Sequence, residues 1–212
     1  LSFQKRVLEI GCGAGYGAYY LAHLAQQVLA VDMDRRLIEQ ATRLFARDNL
    51  SYHVMDGVRL AVDDHAVDVV GSFQVIEHIP EPQLLMFLRE IARVLVPGGV
   101  VVVSTLNLDH NRKNKLTYQK PSFHEKEFTP PEFQQLLQQA FPEVYVYGLY
   151  PRWRYRFYRR LKKWGLDCWG DPARNPVARF YQRLSTDDHL LRPGRYSSRA
   201  IDLVAMCRTA KA

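Results

Sequence analysis

A turn with three closely spaced glycines carries the first chemical signal of this sequence. Gly11, Gly13 and Gly15 follow a short apolar run that contains one acid, Glu9. Glycines at the end of a strand let backbone amides and a helix start approach a ligand that a Cβ atom would hold away. Asp32 closes the next apolar run, about twenty residues on, where a doubly wound sheet places a carboxylate that binds ribose hydroxyls. These residues predict a site for a nucleoside-containing cofactor; the alternative is a turn that only closes a tight strand-to-helix packing.

The spacing of the glycines separates the cofactor classes. Counted from Gly11, the dinucleotide fingerprint G-x-G-x-x-G fails because Tyr16 stands at its third glycine, and no lysine follows as in a phosphate-binding loop. The motif present is E-x-G-x-G-x-G. Residues 7–17 and 28–34 resemble the class I S-adenosylmethionine-dependent methyltransferases. The resemblance implies S-adenosyl-L-methionine as the cofactor.

Later segments follow in the order that this family shows. Residues 51–57 resemble its third strand, residues 67–79 its fourth strand and the next turn, and residues 88–105 its helix, turn and fifth strand. The resemblance is strongest to the small-molecule group called type 11 or quinone-biosynthesis-like, and it covers about residues 6–150 and the last strand. It implies an α/β fold with a doubly wound, Rossmann-like sheet of seven strands, in the order 3-2-1-4-5-7-6, with helices on both faces and an antiparallel last strand.

The resemblance also implies which residues hold the cofactor. Glu9 should orient the turn and face the amino group of the methionine part, while Asp32 should accept hydrogen bonds from both ribose hydroxyls. Met33 should lie along the adenine, and Asp56 with Gly57 should contact its edge. The other expected positions line the turn and the methionine side: Gly11, Cys12, Gly13, Gly15, Phe73 and Gln74.

Two histidines and a glutamate are the candidates for catalysis. Glu77 and His78 come just after the fourth strand, and a Glu-His pair there resembles a pattern that some family members use on the nucleophile. His124 falls in the loop after the fifth strand, which lies over the active site in relatives. A hydroxyl or amine acceptor must lose a proton, which a nearby base can take. The alternatives are that His78 only caps the turn before Pro80 and that His124 lies in a solvated loop.

Composition agrees with an intracellular enzyme. The 212 residues, 47% hydrophobic and 24% charged, suffice for one sizeable domain, and we expect a single methyltransferase domain over residues 1–212. Cys12, Cys168 and Cys207 include no C-x-x-C pair, so neither a disulfide framework nor a metal site is expected. No apolar run has the length of a membrane span and the start lacks the form of a signal peptide, which favours the cytoplasm. The chain begins without Met, so we expect the natural N-terminus to be missing.

Hydrophobic periodicity predicts the helices between the strands. A helix over residues 16–26 should turn Tyr20 and Leu24 inward. Asp34 should cap the next helix and Thr129 a later one. The second helix should bury one stripe: Leu37, Ile38, Ala41, Leu44 and Phe45.

The positive charge of the chain is concentrated in an insertion between the last two strands, at about residues 151–196. This segment holds twelve Arg or Lys and four Asp, net +8, whereas the whole chain is +7. Helical spacing places Trp153, Phe157, Leu161 and Trp164 on one face. The face could pack on the domain, or residues 152–164 could contact an anionic membrane or a lipid-linked substrate, an anionic soluble substrate, or nucleic acid.

These features predict an enzyme that transfers a methyl group from S-adenosyl-L-methionine to a small organic acceptor, lipid-linked or otherwise anionic. An RNA methyltransferase is the first alternative, favoured by the basic insertion. No N-P-P-Y or D-P-P-Y tetrapeptide follows the fourth strand, however, at residues 68–74. The second alternative is a cofactor-binding subunit without catalysis. The intact set of Glu9, Asp32 and the glycines argues against loss of binding.

Overall fold

The structure is a computed structural model that describes residues 2–112, 118–166, 175–183, 185–194 and 198–211. Its strands are β1 Arg6–Ile10, β2 Gln27–Asp32, β3 Leu50–Val54, β4 Val67–Phe73, β5 Leu95–Leu106, β6 Glu143–Pro151, β7 His189–Pro193 and β8 Asp202–Arg208. Its α-helices are α1 Tyr16–Leu21, α2 Arg35–Leu44, α3 Leu84–Val94, α4 Leu108–Arg112, α5 Pro130–Gln138, α6 Trp153–Lys163 and α7 Pro176–Gln182. Short 3-10 turns lie at Ile76–His78, Glu81–Gln83 and Thr186–Asp188.

The strands form a mixed sheet in the order β3-β2-β1-β4-β5-β8-β6-β7. Strands β1 to β5 pair in parallel, and β8 lies antiparallel between β5 and β6. The predicted fold class, the order of the first five strands and the antiparallel last strand are confirmed. The predicted count of seven is wrong by one, because His189–Pro193 of the insertion pairs with β6 and adds an eighth strand at the edge. Its short apolar pair, Leu190-Leu191, gives too weak an alternation to signal a strand.

Two hydrophobic clusters lie on opposite faces of the sheet. Neighbouring residues of β1 point to different clusters, Val7 to one and Leu8 to the other, as the alternation of side chains along a strand requires. The Val7 cluster contains residues of α1 and α2, and the Leu8 cluster contains residues of α3 and α5. The sheet is therefore covered by helices on both faces, and its parallel strands end at one shared edge.

The predicted helices exist, but two of their inward faces differ from expectation. Helix α1 ends at Leu21, and Tyr20 and Leu24 are exposed while Ala18 and Ala22 are buried. Small side chains face the sheet there because α1 begins directly at the glycine turn and lies close to β1. Leu44 is exposed as well, since α2 ends at that residue, beyond its contact with the sheet.

The predicted helix caps are confirmed. The Asp34 carboxylate accepts a hydrogen bond from the Arg36 amide at 2.8 Å at the start of α2. Thr129 and Glu132 form a capping box at the start of α5, whose first residue is Pro130.

Helix α6 presents its aromatic face to solvent. Trp153, Phe157 and Trp164, called the aromatic face below, are 70%, 48% and 72% exposed, whereas Tyr158, toward the other side of the helix, is buried. The interpretation that this face packs on the domain is therefore wrong for these residues. The helix instead contacts the protein through Tyr158, which stacks on Tyr181 of α7 at 4.6 Å between ring centroids. Cys168 and Trp169 lie outside the described residues. No helix among the described residues combines the length and the apolar character that crossing a bilayer requires.

Candidate active site

The glycine turn and the end of β2 are joined through one carboxylate. Asp32 accepts a hydrogen bond from the Gly13 amide on one oxygen and from the Asp34 amide on the other, both at 2.9 Å. A carboxylate offers about four lone-pair positions, so each oxygen can still accept a bond from a ribose hydroxyl. The structure therefore places Asp32 beside the turn, as predicted from sequence, and gives it a further part in holding that turn.

The missing side chains of Gly11 and Gly13 make room for different neighbours, a protein side chain at Gly11 and open space at Gly13. Gly11 has φ +74°, and a Cβ there would come within 2.3 Å of Cγ2 of Val75, so the turn lies against the segment that follows β4. Gly13 has φ +52°, and a Cβ there would meet nothing within 4 Å. Both values favour glycine, and the open space above Gly13 is where a ligand can approach the backbone.

Glu9 is a buried acid with an unsatisfied oxygen. It is 6% exposed, its Oε2 accepts no hydrogen bond from the described residues, and burial raises the pKa of its carboxyl to about 7. Its other oxygen would lie 2.6 Å from a Cβ at Gly17, so the fourth glycine of this segment is needed to admit the carboxylate. The backbone of Ala18 donates a hydrogen bond to the carboxyl and opposes this rise in pKa, but Oε2 has no cationic or hydrogen-bonding partner among the described residues. The amino group of a bound methionine moiety would supply one.

The other predicted cofactor residues lie on or just after the strands that flank β1. Met33 follows β2 and is 67% exposed, while Phe73 ends β4 and is 44% exposed, which leaves two apolar side chains uncovered at this edge. Gln74 adopts φ +58° and donates from Nε2 to Ser104 Oγ at 3.3 Å. A left-handed residue other than glycine is strained, and such strain concentrates at functional sites.

Asp56, Gly57 and Cys12 complete the predicted set. Asp56 is exposed and accepts a hydrogen bond from the Val58 amide at 3.0 Å, and a Cβ at Gly57 would lie 2.9 Å from Phe87. Burial and the nearby carboxylates raise the pKa of the Cys12 thiol to about 12, so this side chain stays protonated. These residues, with Glu9 and Asp32, fit a cofactor that carries a ribose, an adenine and an ammonium group.

The three predicted catalytic residues come together beyond the end of β4. One potential ligand atom from each of Glu77, His78 and His124 lies within 4.8 Å of those of the other two. Glu77 is 1% exposed and accepts a hydrogen bond from the Thr105 hydroxyl at 3.1 Å. Burial raises the pKa of the Glu77 carboxyl, and the Thr105 bond and the two histidines oppose that shift. We call these three residues the acceptor cluster.

Hydrogen bonds fix the orientation of both imidazoles. Nδ1 of His78 lies 2.9 Å from the backbone oxygen of Phe123, and Nδ1 of His124 lies 2.8 Å from Oε1 of Glu127. A carbonyl or carboxylate oxygen can only accept, so Nδ1 carries a hydrogen in each ring, and the neutral form of each ring has its lone pair on Nε2. The interpretation of His124 as a residue of a solvated loop is wrong, since it is buried and has a buried carboxylate partner.

Two functional candidates were missed in the sequence. Glu127 orients His124 and accepts a hydrogen bond from the Tyr118 hydroxyl at 2.6 Å. Asp202 begins β8, and burial first, then the charge of Glu77, raises the pKa of its carboxyl to about 6. One signal for Asp202 was available: the first residue of an antiparallel strand lies at the edge where the parallel strands end.

Comparisons with known proteins identify the family of this chain. A family model described as a methyltransferase domain matches residues 8–103. A protein named as a probable S-adenosylmethionine-dependent methyltransferase from Mycolicibacterium smegmatis is 38% identical over 140 residues, 66% of this chain and 52% of that protein. The ubiquinone biosynthesis O-methyltransferase of Vibrio parahaemolyticus is 30% identical over 168 residues, 70% of this chain and 68% of that protein. The chain spans about half the length of the mycobacterial relatives.

Solved structures share the fold at low identity. Phosphoethanolamine N-methyltransferase 2 of Haemonchus contortus, in complex with S-adenosyl-L-methionine, is 18% identical with a TM-score of 0.64 and covers 100% of this chain and 50% of that one. The [4+2]-cyclase SpnF is 20% identical with a TM-score of 0.64, covering 100% and 77%. A cyclase among the structural neighbours shows that this fold alone does not fix the reaction. The sequence relatives establish that the chain belongs to the S-adenosylmethionine-dependent methyltransferases.

Proposed function

We propose that the chain transfers a methyl group from S-adenosyl-L-methionine to a hydroxyl group of a small organic acceptor that reaches the site from an anionic lipid surface. The observation that carries the proposal is the acceptor cluster, where Glu77, His78 and His124 meet beyond β4, next to the segment that packs on the glycine turn. A hydroxyl has a proton to lose, and this cluster supplies lone pairs to receive it. The O-methyltransferase name of the Vibrio relative supports the same choice of acceptor atom.

S-adenosyl-L-methionine would supply a methyl group on a sulfonium: the methyl carbon would bond to the acceptor oxygen, and sulfur would keep the electron pair of the broken carbon–sulfur bond. Glu9 would pair with the amino group, and Asp32 would accept the ribose hydroxyls. The chain's main task is to hold the acceptor oxygen close, in line and dry, and positioning of this kind can supply roughly 7–11 kcal/mol. The acceptor's proton passes to the cluster, and general base catalysis typically adds about 10²–10⁴-fold.

Helix α6 supports delivery from a lipid surface. Its aromatic face is exposed, and Arg156, Arg160 and Lys163, also exposed, flank that face at helical spacing. Exposed Trp and Phe beside basic residues are typical of helices that lie in the headgroup region of anionic bilayers. The charge of Arg159, on the same helix, lowers the pKa of Asp202 at the start of β8. This interaction connects α6 to the acceptor side of the sheet.

The reaction is tested with methyl-labelled S-adenosyl-L-methionine and a cell extract divided into lipid, small-molecule, RNA and protein pools. Label in the lipid or small-molecule pool supports the proposal if it resists mild base, because a methyl ether is stable to mild base. Label confined to RNA would replace it with the RNA alternative, and no label with intact cofactor binding would favour the non-catalytic alternative.

The membrane contact is tested with vesicles that contain anionic phospholipid. Replacing Trp153, Phe157 and Trp164 by Ser should weaken vesicle binding. Reversing the charge of several arginines between Arg152 and Arg160, by replacing them with Glu, should do the same. Tyr145→Ser is the matched control, because it removes an exposed aromatic side chain from β6. Equal binding of the α6 variants, the control and the parent would discard this part of the proposal.

A further inference from the structure

A basic pocket lies between helices α6 and α7. Its volume is about 690 Å³, within the range of pockets that hold small organic ligands. Three tyrosines line it together with four cationic residues of α6: Arg159, Arg160, Lys162 and Lys163. Among the residues that the structure describes, no acidic side chain belongs to this lining. A pocket of this composition favours a ligand that carries several negative charges.

The cations of this basic pocket repel one another. Arg159 stands three residues before Lys162 and four before Lys163, and Arg160 stands three before Lys163. Residues at these spacings are neighbours on the surface of a helix, and like charges there destabilise it. Helix α6 contains no acidic residue that would offset the repulsion from within. A bound polyanion would relieve it.

Contacts on the other side of α6 hold the wall of the pocket in place. Asp188 is buried, and its two carboxylate oxygens lie 3.3 and 3.1 Å from Nη1 of Arg154. Two of the tyrosines that line the pocket, Tyr158 and Tyr181, stack on each other and so join α6 to α7. Tyrosine hydroxyls can donate hydrogen bonds to an anion. A wall that is already ordered loses little conformational entropy when a ligand binds.

One cation of the pocket lies next to the acceptor side of the sheet. Nη1 of Arg159 is 3.4 Å from Nε2 of His110, on the helix α4 that directly follows β5. Burial and the charge of Glu77 raise the pKa of Asp202, and the charge of Arg159 lowers it. Asp202 therefore adjoins both the basic pocket and the acceptor cluster.

We infer that the basic pocket binds a phosphoryl group that the methyl acceptor itself carries, as a phosphate or diphosphate ester. The inference rests on the proposed function for the role of the acceptor, but not for the binding of phosphate. A phosphate ester carries about −1.5 to −2 charges at pH 7 and three acceptor oxygens, whereas a carboxylate carries a single charge. Phosphate and diphosphate therefore match four cations better, and guanidinium groups bind their oxygens in pairs. The acceptor would be held at two points, its phosphoryl group beside α6 and its hydroxyl at the acceptor cluster.

Binding is measured by calorimetry on the whole chain, with inorganic pyrophosphate as the probe and acetate as the comparison anion. We expect one pyrophosphate per chain, bound more tightly than acetate. Arg160→Gln and Lys163→Gln, both at exposed positions, should each weaken pyrophosphate binding about 10- to 100-fold through loss of a charged hydrogen-bonding partner. Retained binding of S-adenosylhomocysteine shows that each variant is folded.

Arg156→Gln is the matched control for pyrophosphate binding. Arg156 is an exposed arginine of the same helix that does not line the pocket, so its loss should leave pyrophosphate affinity unchanged. Equal weakening by Arg156→Gln and Arg160→Gln would show that the anion responds only to the overall charge of α6, and would overturn the inference. The absence of pyrophosphate binding to a chain that binds S-adenosylhomocysteine would overturn it as well.

Two further measurements identify the molecule that carries the phosphoryl group. Methyl-labelled product from a cell extract should bind to an anion-exchange resin and lose that retention after treatment with a phosphatase or a diphosphate-cleaving enzyme. A labelled product that is uncharged without such treatment would overturn the inference and leave the proposed function standing. Arg160→Gln should weaken binding to phosphatidylglycerol vesicles no more than Arg156→Gln does. A larger loss in Arg160→Gln would assign the pocket to the headgroups of the membrane itself, against the inference.

Discussion

The buried carboxylate of Glu9 allows the sharpest prediction. Burial raises the pKa of Glu9 from 4.5 to about 7 in the unliganded protein. Each pKa unit corresponds to about 1.4 kcal/mol, so ionised Glu9 costs the folded state up to about 3 kcal/mol. Because the folded-state pKa lies above the unfolded one, the folded state does not bear this cost below pH 4.5. The cost grows, and the free energy of unfolding falls, as the pH rises through about 7. Glu9→Gln should therefore be more stable than the parent at pH 8 and nearly equal to it at low pH.

The same substitution should have the opposite effect on the cofactor. A neutral amide cannot pair with an ammonium group, and a hydrogen bond to a charged group contributes about 1.5–3 kcal/mol. We expect Glu9→Gln to bind S-adenosylhomocysteine about 10- to 100-fold more weakly at pH 8. Parent affinity should itself fall as the pH drops below about 7, because Glu9 then takes up a proton.

The assay is chemical unfolding across this pH range, with and without S-adenosylhomocysteine, together with calorimetric titration. Glu39→Gln is the matched control, because Glu39 is an exposed glutamate on α2. The control should follow the parent at every pH. A Glu9→Gln variant whose stability difference from the parent is the same at pH 5 and pH 8 would refute the reasoning, as would unchanged ligand affinity.

Three further outcomes follow from the structure. Asp32→Asn should weaken calorimetric binding of S-adenosylhomocysteine by about 1–3 kcal/mol, through loss of the charged acceptor for the ribose, and unchanged affinity would remove Asp32 from the site. Asp202→Asn should raise the unfolding free energy by up to about 3 kcal/mol above pH 6 and not below pH 4, since burial raises the pKa of that carboxyl from 3.8 to about 6; a gain independent of pH would contradict this. Thr129→Ala should lower the thermal unfolding free energy by about 1 kcal/mol through loss of the α5 capping box, and an unchanged melting temperature would count against it.

Local signals in the sequence predicted the fold well. The caps at Asp34 and Thr129 act within three residues of their helices, and the apolar run of β2 marks a strand buried in the sheet. Contacts between distant elements decided the rest. The close approach of α1 to the sheet left Tyr20 exposed, and the aromatic face of α6 faces solvent although its spacing alone is that of a packed helix.

The candidate site shows the same division. Glu9 and Asp32 stand at positions that the glycine motif marks along the chain. The partnership of His124 with Glu127 lies within one loop but depends on burial, and the meeting of that loop with Glu77 depends on a tertiary contact. Spacing in the sequence carries no information about either contact, so the three predicted residues were found from sequence, whereas their meeting and the part of Glu127 emerged only from the structure.

The most direct test of the account is an experimental structure of the chain with bound S-adenosylhomocysteine. The account predicts the ligand's amino group on the free oxygen of Glu9, its ribose hydroxyls on Asp32 and its sulfur directed toward Glu77, His78 and His124. A ligand whose sulfur points away from those three residues, or a complex in which that oxygen of Glu9 still lacks a partner, would contradict it.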